Sequence, residues 1–462
     1  MSNQLSCFKV YDVRGEIGIN IDTNICYRIG FAFGTVLKIK DAVVGWDARE
    51  TSPELAASLS EGLTDAGVDV LELGLCGTEE MYFAVNHYAL GGGIQVTASH
   101  NPINFNGLKM VKLNSIPLDP ETDFLAIKHY AEKLAKNTIL RGKRPRGLKK
   151  NISYNSRKAY VEKIISLVDV RSFENMKIVV NAGNGAAGPT FDAIEEGLKL
   201  NGSINNFVKI HHAPDSTFPN GIPNPLLKEN QNSTSDSVIR ESAELGIAFD
   251  GDFDRCFFFD EYGTFVQGEY IIGLLSELFL IQNKNETIVH DPRVIWNIKD
   301  VIESKGGKSL LSRTGHAFVK QVMRDSNAIY GAELSAHHYF REFFYCDSGM
   351  LPWLYICELI GRSGKSLSKL LKNRTLMFPS SSEKNFVVSN PKNVLKKVTE
   401  LYQKDALSID YLDGVSITMS DWRLNLRISN TESLVRLNIE GKGKEALVKQ
   451  KITEISDQIL DT

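Results

Sequence analysis

Short apolar runs and amphipathic stretches alternate along most of the chain. Three compact apolar runs have the length expected for buried strands: 42–47, 68–73 and 91–96. Leucines at positions 55, 59 and 63 recur with helical spacing, which predicts a helix between the first two runs. Ser52 suits the N-cap of this helix and Gly67 suits its end. Strands that alternate with helices predict a mostly parallel α/β sheet.

The same alternation recurs twice and then stops. It predicts strands and one buried helix in this order: strands 177–181, 204–210 and 256–259, helix 270–282, and strands 287–290 and 308–311. From about residue 380 a polar loop and an amphipathic helix precede the last elements: strands 415–419, 422–428 and 434–439, and a helix over 443–459. We therefore predict three α/β units and a final α+β domain. The length of 462 residues allows two to four domains.

Two dipeptides are predicted to form turns. The stretch Phe8–Gly18 begins as an apolar strand and gives way to a turn at Arg14-Gly15. Asn106-Gly107 is a typical turn dipeptide, and a turn there folds Lys109 back toward Ser99. Arg14 suits a contact with an anion, but a lone arginine beside glycine is more often an ordinary surface residue.

Composition and charge disfavour several classes of partner. The net charge of −3 favours neither nucleic acid nor an anionic membrane. The basic stretch 141–150 has no interleaved aromatic residues, so we interpret it as a connection between domains rather than a nucleic-acid patch. The start of the chain shows no secretory signal, and the apolar run 271–281 is too short to span a membrane. The six cysteines form no C-x-x-C pair, which is typical of free thiols in the cytoplasm.

A serine lies directly after one predicted strand, in Thr97-Ala98-Ser99-His100-Asn101-Pro102. Pro102 prevents the chain from entering a helix at once, so Ser99 is expected on a loop at the end of the strand. A hydroxyl at such a place can be presented to a ligand and can carry a phosphoryl group. Taken alone, the hexapeptide favours a solvated turn, because most Ser-His pairs on loops are of that kind.

Residues 183–188 have the form G-x-G-x-x-G between a strand and a helix. This pattern is typical of dinucleotide binding, which also requires an acidic residue about 20 positions later. The matching strand, 204–210, contains neither Asp nor Glu. We therefore interpret the glycines as a tight, closely packed turn between strand and helix.

Three aspartates alternate in the segment Asp250-Gly251-Asp252-Phe253-Asp254-Arg255, between two apolar stretches. Like charges this close together repel unless a cation joins them, and carboxylate oxygens are the ligands that Mg²⁺ prefers. An EF-hand is excluded because its twelve-residue loop is absent. A solvated acidic turn is the weaker alternative. Arg255 is placed to hold a phosphate beside the cation.

Two later loops carry hydrogen-bonding side chains. Glu333, Ser335 and His337 follow a strand end with a spacing of two, which on an extended loop puts them on one side, where they suit the hydroxyls of a sugar. The neighbouring His338 is as well explained as a structural histidine. A dense set of donors that suits a phosphate surrounds the turn between the last two strands: Arg427, Ser429, Asn430 and Thr431, with Arg436 just beyond.

Five of these motifs, in the same order, resemble those of the α-D-phosphohexomutase family over nearly the whole chain. They are 11–15, 97–102, 250–255, 333–337 and 427–432. Within the family, Gly185–Pro189 and Ser335–Phe340 look most like bacterial phosphomannomutases of GDP-mannose and surface-polysaccharide pathways. The resemblance implies four domains around a central cleft, the last with a TATA-binding-protein-like fold: 1–140, 155–258, 259–375 and 385–462.

The resemblance also implies roles for the motif residues. Ser99 is the phosphorylated residue, and Asp250, Asp252 and Asp254 hold one Mg²⁺ together with an oxygen of the phosphoserine. Two groups of residues bind substrate: Glu333, Ser335 and His337 contact the sugar, and Arg427, Ser429, Asn430, Thr431 and Arg436 contact the phosphate that is not transferred. The groups implied for proton transfer or charge stabilisation are Arg14, His100, Lys109 and Arg255, with His337 as a further candidate for proton transfer.

The implied reaction interconverts mannose 6-phosphate and mannose 1-phosphate through a hexose 1,6-bisphosphate, in a cytoplasmic monomer or homodimer. A phosphoglucomutase or a dual-specificity enzyme is the alternative. A non-catalytic sugar-phosphate-binding homologue is disfavoured because binding alone does not need Ser99. Three positions depart from the common family pattern, and they bear on substrate preference more than on activity: Ala332, Leu334 and Ser433.

Overall fold

The computed structural model describes residues 4–134, 140, 142–428 and 434–460. The chain forms two compact units. The first comprises Met1–Phe265 with Glu342–Ser363, and the second comprises Val266–Arg341 with Gly364–Thr462. No helix in the described ranges is both long and apolar enough to cross a membrane.

The first sheet lies in the first unit. Its strands are β1 Val13–Glu16, β2 Asp41–Trp46, β3 Asp69–Leu75, β4 Gly92–Val96, β5 Phe105–Lys112, β6 Ile116–Pro117 and β7 Lys149–Asn151. Their order is β1-β5-β4-β2-β3-β7, with β6 paired to β5. The helices among them are α1 Thr23–Leu37, α2 Ser52–Asp65, α3 Thr78–His87 and α4 Asp123–Lys133. The core of this region includes Phe33, Val44 and Leu59, whose side chains are fully buried.

Both predicted turns are wrong, because their residues lie in paired strands. Arg14 and Gly15 belong to β1, and Asn106 and Gly107 belong to β5, where Arg14 pairs with Gly107 in antiparallel register. A Cβ on Gly107 would lie 2.1 Å from the carbonyl oxygen of Val13, so glycine is needed here for close strand approach. The chain reverses earlier, within the loop that carries Ser99.

Two local predictions need smaller corrections. Ser52 is the first residue of α2 rather than its N-cap, which is Thr51, and the Ser52 hydroxyl donates to Asp47 Oδ1 at 2.6 Å. The basic stretch 141–150 does not run as a connection throughout, since Lys149 and Lys150 lie in β7 and pair with β3. Backbone pairing at a sheet edge needs no apolar pattern, so the sequence did not reveal β7.

The second sheet, in the first unit up to Phe265, holds the aspartate segment. Its elements are α5 Ser153–Ser166, β8 Lys177–Asn181, α6 Ala187–Leu200, β9 Asn206–Ile210, α7 Asn232–Glu241, β10 Leu245–Phe249, β11 Cys256–Phe259 and β12 Phe265–Val266. Strand β10 is parallel to β8 and antiparallel to β11. Residues 250–255 therefore form a short loop at the carboxyl end of β10.

The next elements form the third sheet, in the second unit. They are α8 Gly268–Gln282, β13 Thr287–His290, α9 Trp296–Ser304, β14 Lys308–Leu311, α10 His316–Ser326, β15 Tyr330–Ala332 and β16 His338–Phe340. The parallel strands β14, β13 and β15 are followed by the antiparallel β16. The chain then returns to the first unit for β17 Cys346–Asp347 and α11 Met350–Ser363.

The last sheet is antiparallel and belongs to the second unit. Its elements are α12 Leu367–Met377, β18 Lys384–Val387, α13 Pro391–Tyr402, β19 Ser408–Asp410, β20 Val415–Thr418, β21 Trp422–Ile428, β22 Leu434–Gly441 and α14 Glu445–Leu460. Strand order is β18-β22-β21-β20-β19. Strands β18 and β19 were not predicted because they are short, mostly exposed edge strands without an apolar face. The predicted fold class, three α/β domains and a final α+β domain, is confirmed.

Candidate active site

Ser99 lies on the loop after β4, as predicted. Its side chain is 4% exposed, and its backbone is in the left-handed region with φ 48°. Its backbone N–H donates to Thr97 Oγ1 at 2.8 Å. A non-glycine residue in this region costs about 1–3 kcal/mol and persists only where the surroundings impose it. The loop therefore holds the Ser99 hydroxyl in a defined place.

Arg49, which sequence analysis missed, stabilises this loop through hydrogen bonds to its backbone. Its buried guanidinium donates to three backbone carbonyls of the loop, Ser99 at 2.9 Å, Asn101 at 2.5 Å and Pro102 at 2.8 Å, and to that of Phe105 at the start of β5 at 3.0 Å. The Asp47 carboxylate lies 3.5 Å from Arg49 Nε and also accepts the backbone N–H of Ala98 at 3.3 Å. The shape of the Ser99 loop thus depends on one buried arginine.

Replacing Arg49 with lysine is expected to loosen the Ser99 loop. A lysine ammonium cannot donate to four carbonyls at once, so one buried carbonyl or several part-buried ones lose their partner and the free energy of unfolding falls by about 2–4 kcal/mol. Chemical denaturation measures this change. Arg144→Lys is the control, since exposed Arg144 also donates to backbone carbonyls, those of Ile39 and Lys38, away from Ser99. Equal stability losses in the two variants would contradict the role of Arg49.

The three aspartates of the loop after β10 are buried together. Asp250, Asp252 and Asp254 are each at most 1% exposed, and each offers a carboxylate oxygen within 4.8 Å of the other two. Oδ1 of Asp250 and Oδ1 of Asp252 are buried without a hydrogen-bond partner among the described residues. Buried carboxylate oxygens of this kind are the donor set of a hard divalent cation. The residues present therefore fit a metal ion.

The serine loop and the aspartate loop meet directly. The Ser99 hydroxyl donates to Asp250 Oδ2 at 2.5 Å, and Arg255 Nη2 lies 3.2 Å from Ser99 Oγ and 2.7 Å from Asp250 Oδ2. A Cβ on Gly251 would lie 2.6 Å from the carbonyl oxygen of Ser99, so only glycine permits this approach. Two loops separated by about 150 residues of sequence are thus joined around one hydroxyl.

Positive side chains balance the carboxylates. Lys109 Nζ lies 2.7 Å from Asp252 Oδ2 and also pairs with Asp254, while Thr78 donates to Asp252 at 2.5 Å. Burial lowers the pKa of Lys109, but Asp252 and Asp254 outweigh it, so the net pKa is raised and the side chain is charged. Burial raises the pKa of Asp250 to about 6 against the opposing effect of Arg255. Lys109 thus joins the site from within β5.

His100 lies beside the same hydroxyl, and Arg14 contacts the same loop at Asn101. His100 Nδ1 is 3.1 Å from Ser99 Oγ and contacts Arg255 Nη2, and Arg14 reaches Asn101 at 3.4 Å. Burial, Arg255 and Arg14 together hold the pKa of His100 well below its usual value. The imidazole is therefore neutral at physiological pH.

The glycine turn before α6 packs against the aspartate loop. Gly183 has φ 58°, and a Cβ on Gly185 would lie 2.7 Å from the carbonyl oxygen of Gly251. The backbone N–H of Ala186 donates to that same oxygen at 3.0 Å. The predicted tight, closely packed turn is confirmed, and it supports the shape of the aspartate loop.

The predicted sugar-binding residues of the second unit lie on a tight hairpin rather than an extended loop. The N–H of Glu333 donates to the His337 carbonyl at 2.9 Å, and Ala336 has φ 69°. Glu333 is 1% exposed and accepts from Gly315 N–H at 2.7 Å and from the Tyr339 hydroxyl at 2.5 Å. The hairpin still brings the side chains together.

Glu333 Oε2 and Ser335 Oγ lie 3.4 and 3.1 Å from His337 Nδ1. The adjacent His338 is buried and bonds to the Tyr330 hydroxyl at 2.7 Å, so its structural interpretation is confirmed. Burial lowers the pKa of His338 to about 3.

The predicted phosphate-binding arginines lie side by side on adjacent strands of the second unit. Arg427 in β21 pairs directly with Arg436 in β22. Both contact Glu383, which also contacts Arg293, and sequence analysis missed these last two residues. The other predicted members of this set lie outside the described residues: Ser429, Asn430 and Thr431.

Comparison with known proteins identifies the family to which the chain belongs. The chain matches models for all four parts of the phosphoglucomutase/phosphomannomutase family: alpha/beta/alpha domain I at 6–137, domain II at 158–263, domain III at 267–377 and the C-terminal domain at 383–458. The chain belongs to this family of phosphohexose mutases.

Curated and solved relatives agree with the family models. A phosphomannomutase of Escherichia coli K12 is 47% identical over 448 residues, which cover 97% of each chain. A phosphomannomutase of Vibrio cholerae is 45% identical over 462 residues, covering 99% of this chain and 98% of the relative. A crystal structure of a family protein from Burkholderia thailandensis superimposes with a TM-score of 0.85 at 28% identity, over 99% of this chain and 98% of that one. The resemblance to α-D-phosphohexomutases most like bacterial phosphomannomutases is confirmed.

Proposed function

We propose that the protein is a phosphomannomutase that interconverts mannose 6-phosphate and mannose 1-phosphate through a phosphorylated Ser99. The observation that carries the proposal is the buried Ser99 hydroxyl between Asp250 and Arg255, in a chain up to 48% identical to phosphomannomutases over nearly its full length. A buried serine between a carboxylate and a guanidinium is positioned to give and receive a phosphoryl group.

In the proposed reaction the free hydroxyl of the sugar phosphate attacks phosphorus on phosphoserine 99. The bond from phosphorus to Ser99 Oγ breaks as the bond to the sugar oxygen forms, and a hexose 1,6-bisphosphate results. Arg255 places positive charge beside the transferring group, where charge spreads over its oxygens. We propose that His100 receives the hydroxyl proton, because its Nδ1 lies 3.1 Å from Ser99 Oγ. The reverse transfer, from the other end of the bisphosphate, restores phosphoserine 99.

The metal proposed for the aspartate loop is Mg²⁺. Asp250, Asp252 and Asp254 would hold it together with an oxygen of the phosphorylated Ser99. When bound, the ion supplies positive charge that neutralises the transferring phosphoryl group. Lys109, paired with two of these aspartates, keeps the buried carboxylates compensated.

The sugar and the second phosphate are assigned to the second unit. Glu333, Ser335 and His337 are proposed to contact the sugar hydroxyls. Arg427 and Arg436, with Ser429, Asn430 and Thr431, are proposed to hold the phosphate that is not transferred.

The proposal extends to the setting of the enzyme. We propose that hexose 1,6-bisphosphate activates the enzyme by restoring phosphoserine 99, and that mannose 1-phosphate feeds GDP-mannose synthesis for surface polysaccharide. We also propose that the enzyme works in the cytoplasm as a monomer or homodimer. The six cysteines, all free and buried, support a reducing compartment.

Coupled assays with mannose 1-phosphate and glucose 1-phosphate test the substrate. Each is measured with Mg²⁺ and the matching 1,6-bisphosphate, with the coupling enzymes alone as the control. We expect kcat/KM for the mannose substrate to exceed that for glucose by about tenfold or more, the scale of one substituent contact. Equal efficiencies would establish a dual enzyme, and a preference for glucose would establish a phosphoglucomutase.

A further inference from the structure

The phosphate-binding arginines of the second unit surround an acidic side chain. Glu383 Oε2 lies 3.4 Å from Arg293 Nη1, 3.4 Å from Arg427 Nη2 and 3.2 Å from Asn438 Nδ2. Its other oxygen lies 3.5 Å from Arg436 Nη1. One carboxylate therefore contacts three guanidinium groups at once. All of these contacts are long for charge-assisted hydrogen bonds, which are typically about 2.7–2.9 Å.

The backbone explains why an anion is needed at this point. Arg427 and Arg436 are direct cross-strand partners, and like charges in that position repel. Arg293 approaches from the loop after β13 and is 4% exposed, while Arg427 is 5% exposed. Two of the three positive charges have little access to water, and the side chain of the third, Arg436, is 27% exposed, so this cluster requires a neighbouring negative charge. Glu383, one residue before β18, supplies it.

The guanidinium groups nonetheless keep donors that Glu383 does not satisfy. Arg293 Nε and Arg427 Nε are buried without a hydrogen-bond partner among the described residues. Arg293 is also paired with Asp291 at 2.6 Å, and Asp291 accepts the backbone N–H of Leu334 in the sugar-binding hairpin at 2.8 Å. A phosphate, with three strong acceptor oxygens and nearly two negative charges, matches these unsatisfied donors better than one carboxylate does.

Charge balance shows that the carboxylate and a phosphate compete. Three arginines with Asp291 and Glu383 carry a net charge of about +1, whereas without Glu383 the charge is about +2, which matches a phosphate dianion. Attraction to Arg293, Arg427 and Arg436 lowers the pKa of Glu383 to about 2. Its charge therefore persists over the whole physiological range. Protonation therefore cannot remove the competition.

We propose that Glu383 is an internal exchange anion, which holds the three arginines when the substrate phosphate is absent and competes with that phosphate for them. The inference rests on the proposed function, in which these arginines bind the phosphate that is not transferred. A mutase must release the bisphosphate from this site and bind it again by its other phosphate. Because the Glu383 carboxylate pairs with the guanidinium groups as the phosphate leaves, the free energy needed for that release is lower.

Glu383→Gln is the direct test, because the amide keeps the size of the side chain and removes its charge. Calorimetric titration of the full-length protein with inorganic phosphate is expected to show about three- to tenfold tighter binding in the variant, the scale of one partly exposed charge contact. Glu286→Gln is the matched control, since Glu286 pairs with Arg341 of the same unit at 3.0 Å. Its phosphate affinity is expected to equal that of the wild type.

A double variant ties the effect to this site. In an Arg427→Gln background, Glu383→Gln is expected to change phosphate affinity much less, because the competition needs the arginine. Turnover gives an independent signature: KM for the sugar phosphate and kcat both fall in Glu383→Gln, because the phosphate is bound more tightly and its release is slowed. A purely structural role for Glu383 predicts weaker phosphate binding and a higher KM.

Unchanged or weaker phosphate binding in a folded Glu383→Gln variant would overturn the inference. If that variant does not fold, Glu383→Asp serves instead. It keeps the charge but draws the carboxylate back by one methylene, so phosphate is expected to bind more tightly by a smaller factor. Phosphate binding is measured without turnover, so these results are independent of whether mannose phosphate is the substrate.

Discussion

Mutase turnover of Ser99→Ala is expected to fall by a factor on the order of 10⁴ or more, the range seen when a nucleophile is removed. The alanine cannot accept or donate a phosphoryl group, while the loop remains held by Arg49 through four backbone carbonyls. The fold is therefore expected to survive. Coupled assays with added sugar bisphosphate measure the loss, and mass spectrometry of the peptide that contains residue 99 locates the phosphate.

Ser60→Ala is the matched control for this prediction. Ser60 is 1% exposed and belongs to the same unit, and its hydroxyl has no hydrogen-bond partner among the described residues. Its loss is expected to leave both turnover and phosphorylation unchanged. Near-normal turnover of Ser99→Ala would contradict the phosphoserine mechanism, as would an active wild-type sample without phosphate on that peptide.

Asp252→Asn is expected to reduce turnover by a factor on the order of 10³, comparable to the loss of one group that stabilises a transition-state charge. The change removes a proposed metal oxygen and weakens contacts to Lys109 at 2.7 Å and Thr78 at 2.5 Å. Mg²⁺ titration of the mutase rate is expected to show a weaker apparent affinity for the ion. The increase of the melting temperature on addition of Mg²⁺, expected for the wild type, should be reduced.

Asp123→Asn is the control for Asp252. Asp123 also pairs with a lysine of the first unit, Lys112 at 2.6 Å, but lies at the start of α4, outside the aspartate loop. It is expected to keep both the Mg²⁺ dependence and the rate. A full response of Asp252→Asn to Mg²⁺, in rate and in melting temperature, would exclude Asp252 as a metal ligand.

The predicted elements and the observed ones agree where a segment has an apolar face. The strands 177–181 and 422–428 and the helix 270–282 are present in the structure within a few residues, because burial demands a periodic apolar pattern. Edge strands lack that pattern, and β7, β18 and β19 were therefore not predicted. The dipeptides Arg14-Gly15 and Asn106-Gly107 were wrongly predicted as turns for a related reason. Gly107 permits the close approach of two strands, and local sequence does not distinguish this from a turn.

The residues of the candidate site likewise divide into those that a local motif identifies and those that it does not. Ser99, the three aspartates and Arg255 could be identified because they belong to short motifs whose residue types indicate their chemistry. Lys109 was identified for the wrong reason, since a strand rather than a turn brings it to Asp252. Arg49, Thr78, Arg293 and Glu383 belong to no motif. Their positions follow from strand pairing and loop packing between residues far apart in sequence, and a single sequence contains no local pattern for that.

By itself, the sequence determined the order of α/β units, the final α+β domain, and the presence of a serine loop, an aspartate loop and an arginine pair, Arg427 and Arg436, because periodicity and motif chemistry are local properties. Only the tertiary structure decided which charges face each other. Burial removes water as a partner, so each buried charge must find a counter-charge, and those partners come from distant elements. Asp250 with Arg255 and Ser99, and Glu383 with three arginines, are consequences of that requirement.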